Sequence, residues 1–235
     1  YFYCTQAEEN ANEINIFMEL CSGGSLADSI KKGKPFGEDE IATIAQQVLS
    51  ALAYLHDELK LAHRDIKPAN ILMNDGKAKL ADFGTAKVTE NKEGKGGFKD
   101  TAGTFIYMAP EVINGAEYGL PCDLWSVGCV LLELFGSGNP SKKVDAGSMC
   151  GYFADCKTDA EISRMLSKLE SPVAIGFLSE FFHLQAHDRP TAAELLQHSF
   201  IFERRMSLGL AKRQSFSHFQ RQSTAQSVGA LSIDS

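Results

Sequence analysis

The hydrophobic pattern divides the chain into a short strand-like opening, a long amphipathic helix, a polar loop, a hairpin and a mostly helical remainder. "EINIFMEL", residues 13–20, alternates in part and predicts a strand, which the two glycines of "CSGGSL" interrupt before a short helix. Residues 38–57 set Ile41, Ile44, Ala45, Val48, Leu52 and Leu55 on one helical stripe. "ILMNDGKAKLAD" predicts two short strands around Asp75-Gly76, a strong hairpin signal. Helices are expected over about 122–136, 158–169, 174–185 and 191–198; the last opens on "TAAE", where Thr191 can cap and Glu194 can reach back. Strands first and helices after define an α+β fold with a mostly helical body.

Composition adds bounds. The chain has 235 residues, 44% apolar and 23% charged, enough for a sizeable core. A net charge of −7 argues against a nucleic-acid interface, whose footprint is basic. The longest apolar run, "SVGCVLLELF" at 126–135, is about half a membrane span and predicts a buried helix. The six cysteines form no C-x-x-C pair and the six histidines have no ligand spacing, so reduced thiols and a cytoplasmic location are expected. From Glu203 to Ser235 the composition changes. Five basic residues stand against two acidic ones in a Ser- and Gln-rich stretch, which reads as a flexible tail. There, Ser207 in "RRMS" and Ser215 in "KRQS" follow basic pairs and are candidate phosphorylation sites.

The polar loop between the long helix and the hairpin carries the chemistry. "AHRDIKPANIL", 62–72, concentrates His63, Arg64, Asp65, Lys67 and Asn70, and the hairpin that follows ends in "ADFG", 81–84. The hairpin is tight, so Asp82 is expected to return near Asp65 and Asn70. Two carboxylates and an amide oxygen are ligands that suit Mg²⁺. A single Asp in a loop is ordinarily a turn or cap residue; the recurrence of Asp, Lys, Asn and Asp-Phe-Gly around a hairpin weakens that reading.

These residues resemble the eukaryotic protein kinases. "HRDIKPAN" matches the catalytic loop, with "DFG" at 82–84, "APE" at 109–111, "DLWSVGCVLLEL" at 123–134 and "HDRPTAAELLQHSFI" at 187–201. "FMELCSGGSLADSI" and "GTFIYMAPEVI" are most similar to the MAP kinase kinase kinases and related Ste-type kinases. The resemblance covers residues 1–202: it implies a remnant of the small lobe and a hinge over 1–20, a large lobe over 21–202, and the tail at 203–235.

The resemblance also implies roles. Asp65 would orient or accept the proton of the substrate hydroxyl, and Lys67 would place positive charge on the transferring phosphoryl group. Asn70 and Asp82 would hold magnesium. Lys67 and Thr104 point to serine/threonine acceptors. In the adenine hinge, Met18 is the gatekeeper, the Glu19 carbonyl and the Cys21 backbone face the base, Ser25 lies near the ribose, and Leu72 floors the pocket. His63 and Phe83 would pack as a spine, Asp123 would hold the catalytic-loop backbone, and Glu111 would pair with Arg189. Arg64, with Lys87, would receive a phosphate from the activation segment, Thr101 being the first choice of carrier. ATP and Mg²⁺ are the implied cofactors, and a protein substrate, such as a downstream kinase, the implied partner.

One part of the family pattern is not found. The 17 residues before Met18 hold no Lys and no G-x-G, and Glu8, Glu9 and Glu13 do not match the helix Glu that pairs with the third-strand Lys. The expectation is therefore a piece of a longer kinase, inactive by itself, with a non-catalytic kinase-like interaction module as the alternative.

Overall fold

The structure is a computed structural model that describes residues 3–6, 14–89, 97–136, 156–167 and 169–202. The tail, with Ser207 and Ser215, lies outside the described residues, as do positions 90–96 of the activation segment, which the resemblance places over 82–111.

Two strands open the chain, β1 (Tyr3–Gln6) and β2 (Ile14–Phe17), paired antiparallel with Tyr3 opposite Phe17. Helix α1 (Leu26–Lys31) begins at Ser25, whose hydroxyl accepts from the Asp28 amide while the Asp28 carboxylate accepts from the Ser25 amide. This capping box satisfies two otherwise orphaned donors and puts an anion at the positive end of the helix. Helix α2 (Glu38–Ala53) starts with Glu38, Asp39 and Glu40 in its first turn, again favoured by the dipole. The predicted stripe is buried throughout, from Ile41 at 1% to Leu55 at 7% exposed.

The α-helical bonding of α2 ends at Ala53, and a single π-turn, Tyr54–Glu58, carries the chain on. The turn leaves His56 buried against Asp123. Strand β3 (Leu61–Ala62) then leads into the polar loop. Its partner is β6 (Lys87–Val88), on the far side of the hairpin formed by β4 (Ile71–Asn74) and β5 (Lys77–Leu80). Asp75 and Gly76 both have positive φ, 49° and 74°, as a two-residue hairpin turn of the I′ kind requires. The β3–β6 pair was not legible in the pattern, because two-residue strands carry no periodicity.

Helix α3 (Pro110–Ile113) is short; α4 (Pro121–Gly136) is the axis of the body, buried along nearly its whole length. Helix α6 (Pro172–Ser179) packs on α4, α5 (Asp159–Leu166) packs on α6, and α7 (Ala192–Leu195) packs on α2. Helix α2 packs on α4 and α7, and its other side lies on β5. Three helices are shorter than expected, α5, α6 and α7. The chain after α6 tightens into i→i+3 turns, with Phe181 N bonded to Leu178 O and Phe182 N to Ser179 O, and these drive both rings into the core. After α7, the His198 ring nitrogen accepts the Phe200 amide, and the α-helix gives way to a turn. The Thr191–Glu194 capping box forms as expected.

Candidate active site

The site is built on Asp123. This residue lies in the first turn of α4 and is fully buried, a placement that is costly unless every lone pair is used. Its Oδ2 accepts from the His63 amide at 2.8 Å and faces His56 Nε2 at 2.8 Å, and its Oδ1 accepts from the Arg64 amide at 2.8 Å. Burial pushes the carboxyl upward, but these partners outweigh it and hold Asp123 below the usual carboxylate range. The two amide bonds pin the loop where Arg64 takes a left-handed conformation, φ 67°. A strained turn of this kind persists when its surroundings fix it.

Asp65 follows directly. Its Oδ1 accepts from the Thr104 hydroxyl at 2.8 Å, and its Oδ2 accepts from Lys67 Nζ at 2.7 Å and Asn70 Nδ2 at 3.0 Å. Lys67 also donates to Thr104 Oγ1 at 2.9 Å, so Asp65, Lys67 and Thr104 form a closed triangle. Burial raises the Asp65 carboxyl, yet the bonds from Lys67, Thr104 and Asn70 leave it net lowered and therefore ionised at neutral pH. Thr104 reaches this position because Gly103 lies against the Arg64 carbonyl. A Cβ at Gly103 would sit 2.2 Å from that oxygen, and the residue has φ +107°, so only glycine fits.

Asn70 is buried, and its Nδ2 is used by Asp65, through the backbone oxygen at 2.9 Å as well as the carboxylate. Its amide oxygen, an acceptor, takes part in none of these bonds. The Ala81 amide donates to the Asn70 carbonyl at 2.9 Å, which brings Asp82 to within one residue of Asn70, as the hairpin argument required. Asp82 has φ 63° and accepts from the Gly84 amide at 3.3 Å through Oδ1. No hydrogen bond joins Asp82 directly to Asp65 or Asn70 among the described residues. Asn70 and Asp82 thus offer hard oxygen donors in small number, a set that fits Mg²⁺, which keeps waters and takes substrate phosphates as ligands. His63 Nε2 faces Ala81 O at 3.0 Å, and the His63 and Phe83 rings pack at 4.9 Å.

The residues expected to form the hinge are arranged less uniformly. Phe17, Met18 and Leu20 are exposed, Leu20 at 84%. Glu19 turns its carboxylate to Lys79 and Asn74 on the β4–β5 hairpin; Lys79, then Asn74, hold it below its ordinary range. Cys21 is half-buried, and its carbonyl accepts from Gly24. Leu72 sits on β4 in a bridge with Ser25. The Ser25 hydroxyl, expected near the ribose, donates to Asp28 Oδ2 at 2.7 Å and caps α1.

Arg64 and Lys87 converge, as expected, but on a residue the pattern did not single out. Their common partner is Asp100, at 2.9 and 3.0 Å, and Thr101 beside it is exposed. Phe98 and Tyr118 complete this cluster. The signal that could have found Asp100 was an acidic residue next to the favoured Thr, in a segment facing two cations. At the far end of the body Arg189 makes two parallel bonds to Glu111, at 2.7 and 2.8 Å, as expected.

The family model described as "Protein kinase domain" matches residues 3–201. The chain belongs to the protein kinase family. Curated relatives point in the same direction as the hinge and "APE" segments. The mitogen-activated protein kinase kinase kinase MCK1 of Pyricularia oryzae is 40% identical over 82% of the chain, and mkh1 of Cytospora mali, of the same description, is 39% identical over 82%. Mitogen-activated protein kinase kinase 1 of Arabidopsis thaliana is 34% identical over 84%. The kinase chain spans 13%, 10% and 56% of the lengths of these three proteins. Among the described residues, no helix is long and apolar enough to cross a membrane.

Proposed function

We propose that this chain carries the catalytic loop of a serine/threonine protein kinase of MAP kinase cascades, which moves the γ-phosphate of ATP to a protein hydroxyl. The single observation that carries the reading is the closed triangle of Asp65, Lys67 and Thr104. Phosphoryl transfer asks little covalent chemistry of the protein, so its rate comes from positioning and charge. Asp65, held ionised and fixed at both oxygens, orients the attacking hydroxyl and takes its proton late. Lys67, fixed by the same two partners, supplies positive charge where the transferring group develops negative charge. Thr104 holds the pair in register. Asn70 and Asp82 would hold magnesium, which would supply neutralising charge to the phosphates.

Glu19, Cys21 and Leu72 are the hinge and floor of the adenine site in this reading. Ser25 shapes the site through the N-terminus of α1. The kinase kinase kinases and kinase kinases among the relatives favour another kinase as the protein substrate. A retired site used only for docking has no chemical need for all four of Asp65, Lys67, Asn70 and Asp82.

The test is phosphotransfer by the full-length protein, with ATP, Mg²⁺ and a panel of protein substrates, followed by phosphoamino-acid analysis. Phosphoserine or phosphothreonine formation that is abolished by Asp65→Asn is the expected result. Partner binding that survives Asp65→Asn, with no transfer by the parent protein, would replace the enzyme by an interaction module.

A further inference from the structure

Arg64 is a buried cation with its side chain only 7% exposed, and the chain wraps it from several directions. Its Nε donates to Thr85 O at 2.7 Å, and Nη1 donates to Tyr118 Oη at 3.1 Å and to Asp100 Oδ2 at 2.9 Å. The guanidinium lies 5.3 Å from the Phe98 ring centroid, and Lys87 Nζ lies 5.6 Å from the same ring. Lys87 binds the second Asp100 oxygen at 3.0 Å. The backbone around the carboxylate is fixed as well. Tyr118 Oη donates to Asp100 O at 2.7 Å, and Phe98 and Tyr118 exchange two backbone bonds at 3.1 Å. Phe98 itself is 1% exposed.

Two cations over an aromatic floor, with an anion bridging them, make an anion pocket. Such a pocket takes a phosphate or a carboxylate, and here it holds a carboxylate from the activation segment itself. We infer that Asp100 is a built-in anionic latch: a positioning residue that fills the Arg64–Lys87 pocket in place of a phosphate. It thereby holds residues 98–104 against the catalytic loop. The consequence runs through two short steps. Asp100 fixes Arg64, whose backbone is adjacent to Asp65, and it fixes the strand of chain that delivers Gly103 against Arg64 O and Thr104 against Asp65. The strong depression of the Asp100 carboxyl by Arg64, and next by Lys87, agrees with a full negative charge in the pocket. The inference rests on the proposed function only for its catalytic consequence; the latch itself is a property of the fold.

A phosphate on Thr101 therefore does not meet an open pocket. It has to displace Asp100 or add little to the ordering already present.

Amide hydrogen exchange of 97–104 in the full chain tests this without requiring activity. Asp100→Asn, which keeps the shape and removes the charge, should speed exchange there by about two- to fivefold, as expected for losing a partly exposed charge pair. Asp100→Glu should retain most of the protection. In Asp100→Asn, inorganic phosphate or the added Thr101→Glu change should restore protection. Neither should alter the parent chain, and chloride at equal ionic strength should have no effect on any variant. Unchanged exchange in Asp100→Asn would overturn the latch. Faster exchange that neither phosphate nor Thr101→Glu reverses would also overturn it, showing a plain structural contact. An Asp100-dependent exchange pattern in a full-length protein that transfers no phosphate would leave the latch standing while the kinase activity fell.

Discussion

The Thr104 hydroxyl donates to Asp65 at 2.8 Å while accepting from Lys67 at 2.9 Å, so one side chain from the activation segment sets the spacing of two from the catalytic loop. The contact joins residues 39 positions apart, and it depends on Gly103 lying against the Arg64 carbonyl. Removing the hydroxyl should leave Asp65 and Lys67 present but loosely held. Thr104→Val in the full-length protein is expected to lower kcat about 10²-fold, with the KM for ATP little changed, because misplacement of a catalytic group costs about that much. Thr104→Ser keeps the hydroxyl and should recover most of the rate. Steady-state kinetics with both variants distinguishes this from a general loss of folding.

Asp65 and Asp82 should fail differently. Asp65→Asn is expected to cut turnover by about 10²–10⁴, the range for a positioned acid–base group. Nucleotide binding should survive. Asp82→Ala should instead weaken nucleotide binding in the presence of Mg²⁺ and leave Mg²⁺-free binding nearly unchanged. Titration with a fluorescent ATP analogue, with and without the cation, separates the two. Wild-type turnover in Asp65→Asn would remove the role proposed for it.

Much of this site was legible because its residues lie at fixed short spacings. Asp65, Lys67 and Asn70 fall within one loop, and the Asp75-Gly76 turn returns the chain so that Ala81 bonds Asn70. What was not legible depends on pairs brought together by folding. Asp100 lies 36 positions from Arg64, in a segment with no apolar period, and only its place beside Thr101 hints at the partnership. The capping box that Ser25 makes with Asp28 went unread, because only the hinge register drew notice to Ser25. The short sheet of β3 and β6 and the π-turn at Tyr54–Glu58 are local adjustments that leave no trace in a hydrophobic pattern.

Asp123 predicts an acid limit to stability. Its folded pKa lies below the unfolded value of about 3.9, so its contribution is fully present above that value and is lost as pH falls through the folded one. Asp65 shares the same direction. Chemical denaturation midpoints should therefore be maintained down to about pH 4 and decline below it. Asp123→Asn should flatten that decline while lowering stability at neutral pH. A decline of the same steepness in Asp123→Asn would assign the acid sensitivity to other carboxylates.

Gly128 lies where α4 meets the Phe181–Phe182 turn. A Cβ placed there would fall 2.6 Å from Phe181 Cβ and 2.9 Å from the Phe182 ring. Neither neighbour has room to retreat, since both are buried in the core. Gly128→Ala should therefore destabilise by about 1–3 kcal/mol through overpacking, despite the better helix propensity of alanine. Urea denaturation followed by circular dichroism measures it, and a stabilised variant would show that α4 can shift away from the two rings.

The Arg189–Glu111 pair ties the last quarter of the described chain to the "APE" segment. Arg189 is buried, with both Nη atoms on the Glu111 carboxylate, Nε on His183 O at 2.9 Å and Nη1 also on Pro121 O at 3.1 Å. Its guanidinium also stands 5.1 Å from the Trp125 ring. The planar fork is used on several sides at once, which an ammonium cannot reproduce. Removing either partner leaves a buried charge uncompensated. Arg189→Ala and Glu111→Ala are each expected to cost about 3–5 kcal/mol. Arg189→Lys should recover only part of this, because it restores charge without the parallel bonds. The double variant Arg189→Met, Glu111→Leu removes both charges together and should be less destabilised than the sum of its single changes. A double-mutant cycle by urea denaturation measures that coupling. Strict additivity would mean that Glu111 is held by its surroundings independently of Arg189, and the pair would then not be what fastens the two segments together.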